Sequence, residues 1–314
     1  MLTLPQKGFA RSIKKHNINT SIMADWIESS IVFTDEEVSK IEIIDILCEN
    51  EYYESQDFAT EQVEICWSEI DRRASWMGSG SPIIVDGLKI RKSLDINNIA
   101  HSFCLMLSRS DYYDKWSTQF GTDFNEQGNL FEDLTCQSLS VHGWKIYQTG
   151  WANAVKNKIS DSETTVFRGL IANIAGILNE SPGGNIEKWI NDKTNEAGLD
   201  IVSYKPFTDD RPGIPTFFVQ CASGAKWKEK LKEPDLAYWS KMIDFSIVPQ
   251  KAISIPFSLD SDNLRRDTNR YEGMIIDRYR ILSAGSTGIN WVTEALSEKI
   301  TAWLEPRVKK LQTL

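Results

Sequence analysis

Histidine and cysteine are scarce in this chain. Its 314 residues hold three histidines (His16, His101, His142) and five cysteines (Cys48, Cys66, Cys104, Cys136, Cys221), with no Cys-x-x-Cys pair. Such spacing does not suit a structural zinc site, and the scattered thiols make no disulfide framework. A lone cysteine in this setting reads as a small buried hydrophobe rather than as a nucleophile. Long apolar runs are missing too: no window approaches the roughly 18 uncharged apolar residues of a membrane span. The opening stretch MLTLPQKGFARSIKKHNINTS carries basic residues but no continuous apolar run. No secretory leader is therefore expected, and the cytoplasm is the expected compartment. Also lacking are a Gly-x-x-x-x-Gly-Lys-[Ser/Thr] phosphate loop, a Gly-x-Ser-x-Gly nucleophile turn and any internal repeat. P-loop and α/β-hydrolase chemistry are set aside on that ground.

Acid is what the chain has in excess, and it is unevenly placed. The formal net charge is −9. Between Asp25 and Asp71, fifteen Asp and Glu stand against one lysine, Lys40, so this segment carries −14 and the rest of the chain +5. Anything that binds phosphate would use that remainder. From about residue 21 to 76, apolar residues recur every three or four positions, the period of amphipathic helices. TDEE at 34 to 37 reads as a helix N-cap followed by first-turn acids, which suit the positive end of the helix dipole. The exposed acidic face is solvated surface or a docking surface for a protein partner.

After a Gly/Ser/Pro break, two short β runs flank Asp86-Gly87, a hairpin signal, and helix returns with INNIAHSFCLMLSRSDYYDKW. The polar, glycine-bearing stretch STQFGTDFNEQGN suggests a boundary, giving a helical domain over 1–118 and a second domain over 119–314. In the second, helices and strands alternate. LFEDLTCQSLSVHGW, TTVFRGLIANIAGILNE, GNIEKWINDKTNEAG and AKWKEKLKEPDLAYWSKMIDF read as helices, the last interrupted at Pro234. WKIYQTGW, LDIVSY, TFFVQCAS and KAISIPFSL read as strands, and RYEGMIIDRYRILSAG with the C-terminal stretch supplies the last helices. The expected fold is α/β, a central sheet flanked by helices, preceded by the helical domain.

Three segments in order carry the chemistry: GNLFEDLTCQSLSVHGWKIYQTG, then EAGLDIVSY, then FFVQCASGAKW. Their order resembles the restriction-endonuclease-like, PD-(D/E)XK, nucleases over about residues 128 to 285, with GMIIDRYRIL similar to a late helix of some members. The resemblance implies a mixed sheet flanked by helices and a metal-dependent endonuclease that hydrolyses phosphodiester bonds, DNA favoured. It also implies Mg²⁺ or Mn²⁺ held by Asp200, Gln220 and Glu132. Cutting a phosphodiester needs a water made nucleophilic near neutral pH and relief of charge in the transition state. Oxygen ligands around Mg²⁺ suit the first task and a nearby lysine the second.

Each assignment has a plainer rival. Asp200 could cap a turn, Gln220 could be hydrogen-bonded inside the sheet, and Glu132 could be an ordinary exposed acid. The family lysine would fall two positions after Gln220, where this chain has Ala222. Lys226 is the favoured substitute, since Gly224 lets the chain turn back; Lys228 and Lys230, with Arg278 and Arg280 of the basic run LRRDTNRYEGMIIDRYR, are then substrate-binding candidates. Pro234-Asp235 matches the family name but lies beyond the strand and is discarded. Such domains serve in restriction, repair or defence against phage, and an acidic docking surface would suit a partner subunit. If the acidic helices instead cover a basic groove, deleting residues 1–116 would raise DNA affinity. The rival class is a nuclease fold kept only for binding or assembly.

Overall fold

The computed structural model describes residues 1–9, 19–94, 96, 98–113, 116, 120, 123–149, 163–190, 197–286 and 290–313. In chain order the elements begin with α1 (Thr20–Thr34), β1 (Val38–Ser39), α2 (Lys40–Glu49), α3 (Gln56–Met77), β2 (Ile83–Asp86), β3 (Lys89–Lys92) and α4 (Ile99–Arg109). Next come α5 (Phe124–Val141), β4 (Lys145–Gln148), α6 (Glu163–Ile177), β5 (Ser181–Pro182), β6 (Ile201–Tyr204), β7 (Thr216–Cys221) and α7 (Leu236–Trp239). The last are β8 (Ile243–Asp244), β9 (Gln250–Ser254), α8 (Ser261–Tyr271), β10 (Met274–Ile276), α9 (Arg278–Leu282) and α10 (Glu294–Leu311). No described helix is long and apolar enough to cross a membrane.

Two compact units result. The first gathers Met1–Leu130, Pro256–Asp260 and Asp277–Leu314, and the second Phe131–Ile255 and Ser261–Ile276. The expected boundary at 118/119 lies outside the described residues. A single cut does not describe the units, because the C-terminal segment packs with the N-terminal helices. Phe103 of α4 meets Trp303 of α10 edge-on at 5.1 Å, and Gln312 Nε2 donates to the carbonyl of Phe33 at 2.6 Å.

In the first unit α1 is buried on every side, from Ile22 through Phe33, so it is a central helix rather than an amphipathic one. Asp25, Glu28 and Glu69, expected on an acidic surface, are buried as well. Their partners are guanidinium groups: Arg73 donates to Asp25 and Glu28 at 2.9 Å and to Glu69 at 2.8 Å. TDEE does not cap a helix. Asp35, with φ +57°, closes α1, and Ser39 caps α2 in a reciprocal pair with Glu42. The hairpin forms as expected, Asp86 opposite Lys89 with Gly87 at φ +55°.

In the second unit five strands form one mixed sheet in the order β10-β9-β7-β6-β4. β4, β6 and β7 run antiparallel to their neighbours, whereas β7, β9 and β10 are mutually parallel. Val202 of β6 and Phe218 of β7 pack with Phe167, Leu170, Ile171 and Ile174 of α6, closed off by Trp239, Met242 and Ile243. Burying such side chains stabilises the layer by roughly 1.5–3 kcal/mol each.

Three expected helices are not continuous. Met274–Ile276, expected as helix, is a strand parallel to β9. Gly273 permits it, because a Cβ there would stand 2.5 Å from the carbonyl oxygen of Lys251, and the two isoleucines that follow favour extended backbone. AKWKEKLKE forms only the 3₁₀ turn Trp227–Lys230; its charged residues offer no apolar face, and Trp227 alone is buried. GNIEKWINDK contributes the turn Ile186–Lys188, and residues 191–196 lie outside the described ones.

Candidate functional site

The chain enters the site through a tight turn. Ala197 and Gly198 both have positive φ, +49° and +69°, and a Cβ on Gly198 would lie 2.9 Å from the Glu233 side chain. A side chain is therefore penalised there twice, by backbone conformation and by space. Gly198→Ala is expected to cost about 1–2 kcal/mol, read as a lowered urea midpoint with unchanged slope.

Beyond the turn, Leu199 drops into the core and Asp200 extends β6 by one residue. Its amide donates to the Val219 carbonyl at 3.0 Å, and its carbonyl accepts from Thr149 at 2.9 Å. Asp200 is thus held by both neighbouring strands. Side chains alternate along a strand. Val202 and Phe218 face the α6 side, so Asp200 and Gln220, each two residues farther along, face that side together. Gln220 Nε2 donates to Asp200 Oδ2 at 2.5 Å, as does the backbone amide of Cys221 at 2.5 Å. Gln220 Nε2 also donates to the Cys221 carbonyl at 3.1 Å. The amide oxygen of Gln220 is buried and has no hydrogen-bond partner, a rare state for a buried acceptor.

Helix α5 lies on the other face. Thr135 Oγ1 and Ser254 Oγ share a hydrogen bond of 2.9 Å, and Ser254 is the β9 residue opposite Cys221. Asp133 accepts from Gln148 at the end of β4 at 2.8 Å. Burial, followed by the charges of Asp200 and Glu132, pushes the Cys221 thiol well above its usual range. Cys136 is raised by burial and then by Glu132, Asp133 and Asp200. The same two carboxylates therefore bracket both thiols, which places Glu132 at this end of the sheet. Protonated thiols make poor nucleophiles.

The structure joins Asp200 to Gln220 directly and brings Glu132 alongside; the basic candidates lie elsewhere. Lys226 is 85% exposed, its ammonium 4.0 Å from Glu229. Lys228 reaches Asp267 at 3.2 Å, and Lys230 is exposed. Arg280 is exposed and belongs to the first unit. Arg278 must be removed from the substrate-binding set: it is wholly buried in the first unit, donating to both oxygens of Asp25 at 2.8 and 2.9 Å and to the Pro256 carbonyl at 2.9 Å. Sequence reading did not include Asp133, Gln148, Thr149 or the Cys221 amide. Their only signal was position, at the ends of the quoted helix and strands.

No protein-family model, curated protein or solved structure matches this chain. Among the described residues no three His, Cys, Asp or Glu side chains converge as a metal site. The donors at hand are two carboxylates and an orphaned amide oxygen, all hard oxygen ligands. That set fits Mg²⁺ or Mn²⁺, which accept one or two carboxylates and fill the remaining positions with water and substrate oxygens.

Proposed function

We propose that the second unit is a restriction-endonuclease-like, metal-dependent nuclease that hydrolyses phosphodiester bonds, with DNA the favoured substrate. The observation that carries this reading is the Asp200–Gln220 pair at the end of the central sheet, with the Gln220 amide oxygen buried and unpaired. The path of the chain supports it: helix α5, the antiparallel run β4-β6-β7, then β9 parallel to β7. That order agrees with the family pattern seen in the sequence. Asp200, Gln220 and Glu132 would hold Mg²⁺ or Mn²⁺, which lowers the pKa of a bound water and offsets charge on the phosphoryl oxygens. Gln220 adds a neutral ligand, so metal binding should be weaker than at an all-carboxylate site. Lys226 would supply the cation near the phosphate by swinging in from solvent, and Lys228 and Lys230 would hold the backbone.

A non-catalytic binding module is the second reading, and one observation favours it. Asp200 Oδ2 already accepts two N–H groups, which is how a purely structural carboxylate is satisfied. Cleavage of plasmid and single-stranded DNA by the full chain in Mg²⁺, Mn²⁺ or EDTA separates the two. Cutting that requires metal and stops in EDTA supports the nuclease. No cutting, together with no Mn²⁺ bound by titration, assigns the binding module.

A further inference from the structure

Three large apolar side chains stand out in the first unit: Ile41 of α2 at 63% exposure, Ile65 of α3 at 48% and Leu88 at the hairpin tip at 60%. They surround one anchor. Lys40, next to Ile41, donates its backbone amide to the Leu88 carbonyl at 3.0 Å. Its ammonium reaches Glu64, next to Ile65, at 2.7 Å and lies over the Trp67 ring at 5.5 Å. Trp67 Nε1 in turn donates to the Gly87 carbonyl at 3.1 Å. Both carbonyls of the hairpin tip are thus tied to the two helices, and the platform is fixed before anything binds. Single exposed apolar residues are ordinary; three around one anchored ion pair are not scatter.

The rim is acidic. Asp45 lies one helical turn beyond Ile41, and Glu61 one turn before Ile65. Glu37, Glu42 and Asp86 are exposed beside the same elements. The two lysines present are already engaged, Lys40 with Glu64 and Lys89 with Glu37.

We propose that this face docks a protein partner whose apolar contact residues are framed by lysine and arginine. An apolar centre enclosed by a charged rim is the usual anatomy of a specific interface. The rim's sign selects the occupant: nucleic acid is repelled, a second copy would bring the same acids face to face, and a basic rim is complementary. The proposal stands apart from the nuclease reading, since no residue of the second unit enters it.

The test uses a labelled amphipathic peptide with leucines along one helical face and lysines on its flanks, and a scrambled peptide of the same composition. The full chain is expected to bind the amphipathic peptide about tenfold or more tightly than the scrambled one. The triple exchange Ile41→Ser, Ile65→Ser, Leu88→Ser should lose that advantage with an unchanged melting curve, because all three residues are exposed. Leu88→Ser alone, at a hairpin tip, gives the same readout if the triple variant fails to fold. Asp45→Lys with Glu61→Lys should weaken binding and flatten its salt dependence. Equal affinity for the two peptides, or for wild type and the serine variants, overturns the proposal. So does a wild-type dimer in sedimentation that the serine variants abolish, which would assign the face to a second copy, or duplex DNA binding that those variants remove.

Discussion

Replacing Arg278 with methionine is expected to lower the unfolding free energy by about 3–5 kcal/mol, because it strands a buried carboxylate. Arg278 donates to both oxygens of Asp25, while Ser108 donates to Asp25 at 2.6 Å and Arg73 at 2.9 Å. Burial alone would raise the Asp25 pKa; the guanidinium groups of Arg278 and Arg73 and the hydrogen bonds outweigh it and hold the carboxyl well below its usual range. Glu28 is also lowered: burial raises it, and Arg73 and His101 more than compensate. The sign for acid follows from both directions. A carboxylate with a depressed folded pKa contributes stability that is complete above the unfolded value of about 4 and is lost as pH falls below it. Urea midpoints taken from pH 7 downwards should therefore fall steeply below about pH 4 in the wild type, and less steeply in Arg278→Met. Replacing Asp25 by leucine in the same chain should recover part of the loss. A double variant no more stable than Arg278→Met would reject this account.

Asp200→Asn is expected to reduce cleavage by about a hundredfold or more while leaving the fold intact. Asparagine offers a carbonyl oxygen where Asp200 Oδ2 accepts from Cys221 and Gln220, so the hydrogen bonds survive and the charge is lost. Asp200→Ala is a poorer test: it leaves the Cys221 amide and Gln220 without their acceptor, at about 1–3 kcal/mol, and mixes stability with activity. Mn²⁺ titration of Asp200→Asn completes the measurement. Wild-type cleavage and wild-type Mn²⁺ affinity in this variant would remove Asp200 from the metal site, whatever the chain does to DNA.

Much of the second unit was legible because its strands announce themselves. LDIVSY and TFFVQC are short, apolar and bounded by turn residues, and each forms a strand where expected. Their antiparallel register brings Asp200 beside Gln220, a meeting that order along the chain suggested. The segments that misled are those whose local pattern was outvoted by distant contacts. Met274–Ile276 is too short to display a strand's alternation between two polar helical runs. Asp25 and Arg278 are both residue types that belong on surfaces, and no periodicity relates positions 253 residues apart. One was therefore counted in an acidic face and the other in a phosphate grip, when each is the other's partner. The run AKWKEKL counted as helix on composition, although only Trp227 could anchor it.

The discontinuous make-up of the first unit sets an order of assembly. During synthesis N-terminal segments ordinarily fold first. Here Met1–Leu130 leaves the ribosome without Arg278 or Trp303, because Asp277–Leu314 is translated last. Until then Asp25 lacks the guanidinium that grips both its oxygens, and Phe103 lacks its ring partner. Removing residues 1–116 would likewise not lift off a self-contained cover; it would leave those C-terminal groups facing water. The unit that begins the chain is the one completed last.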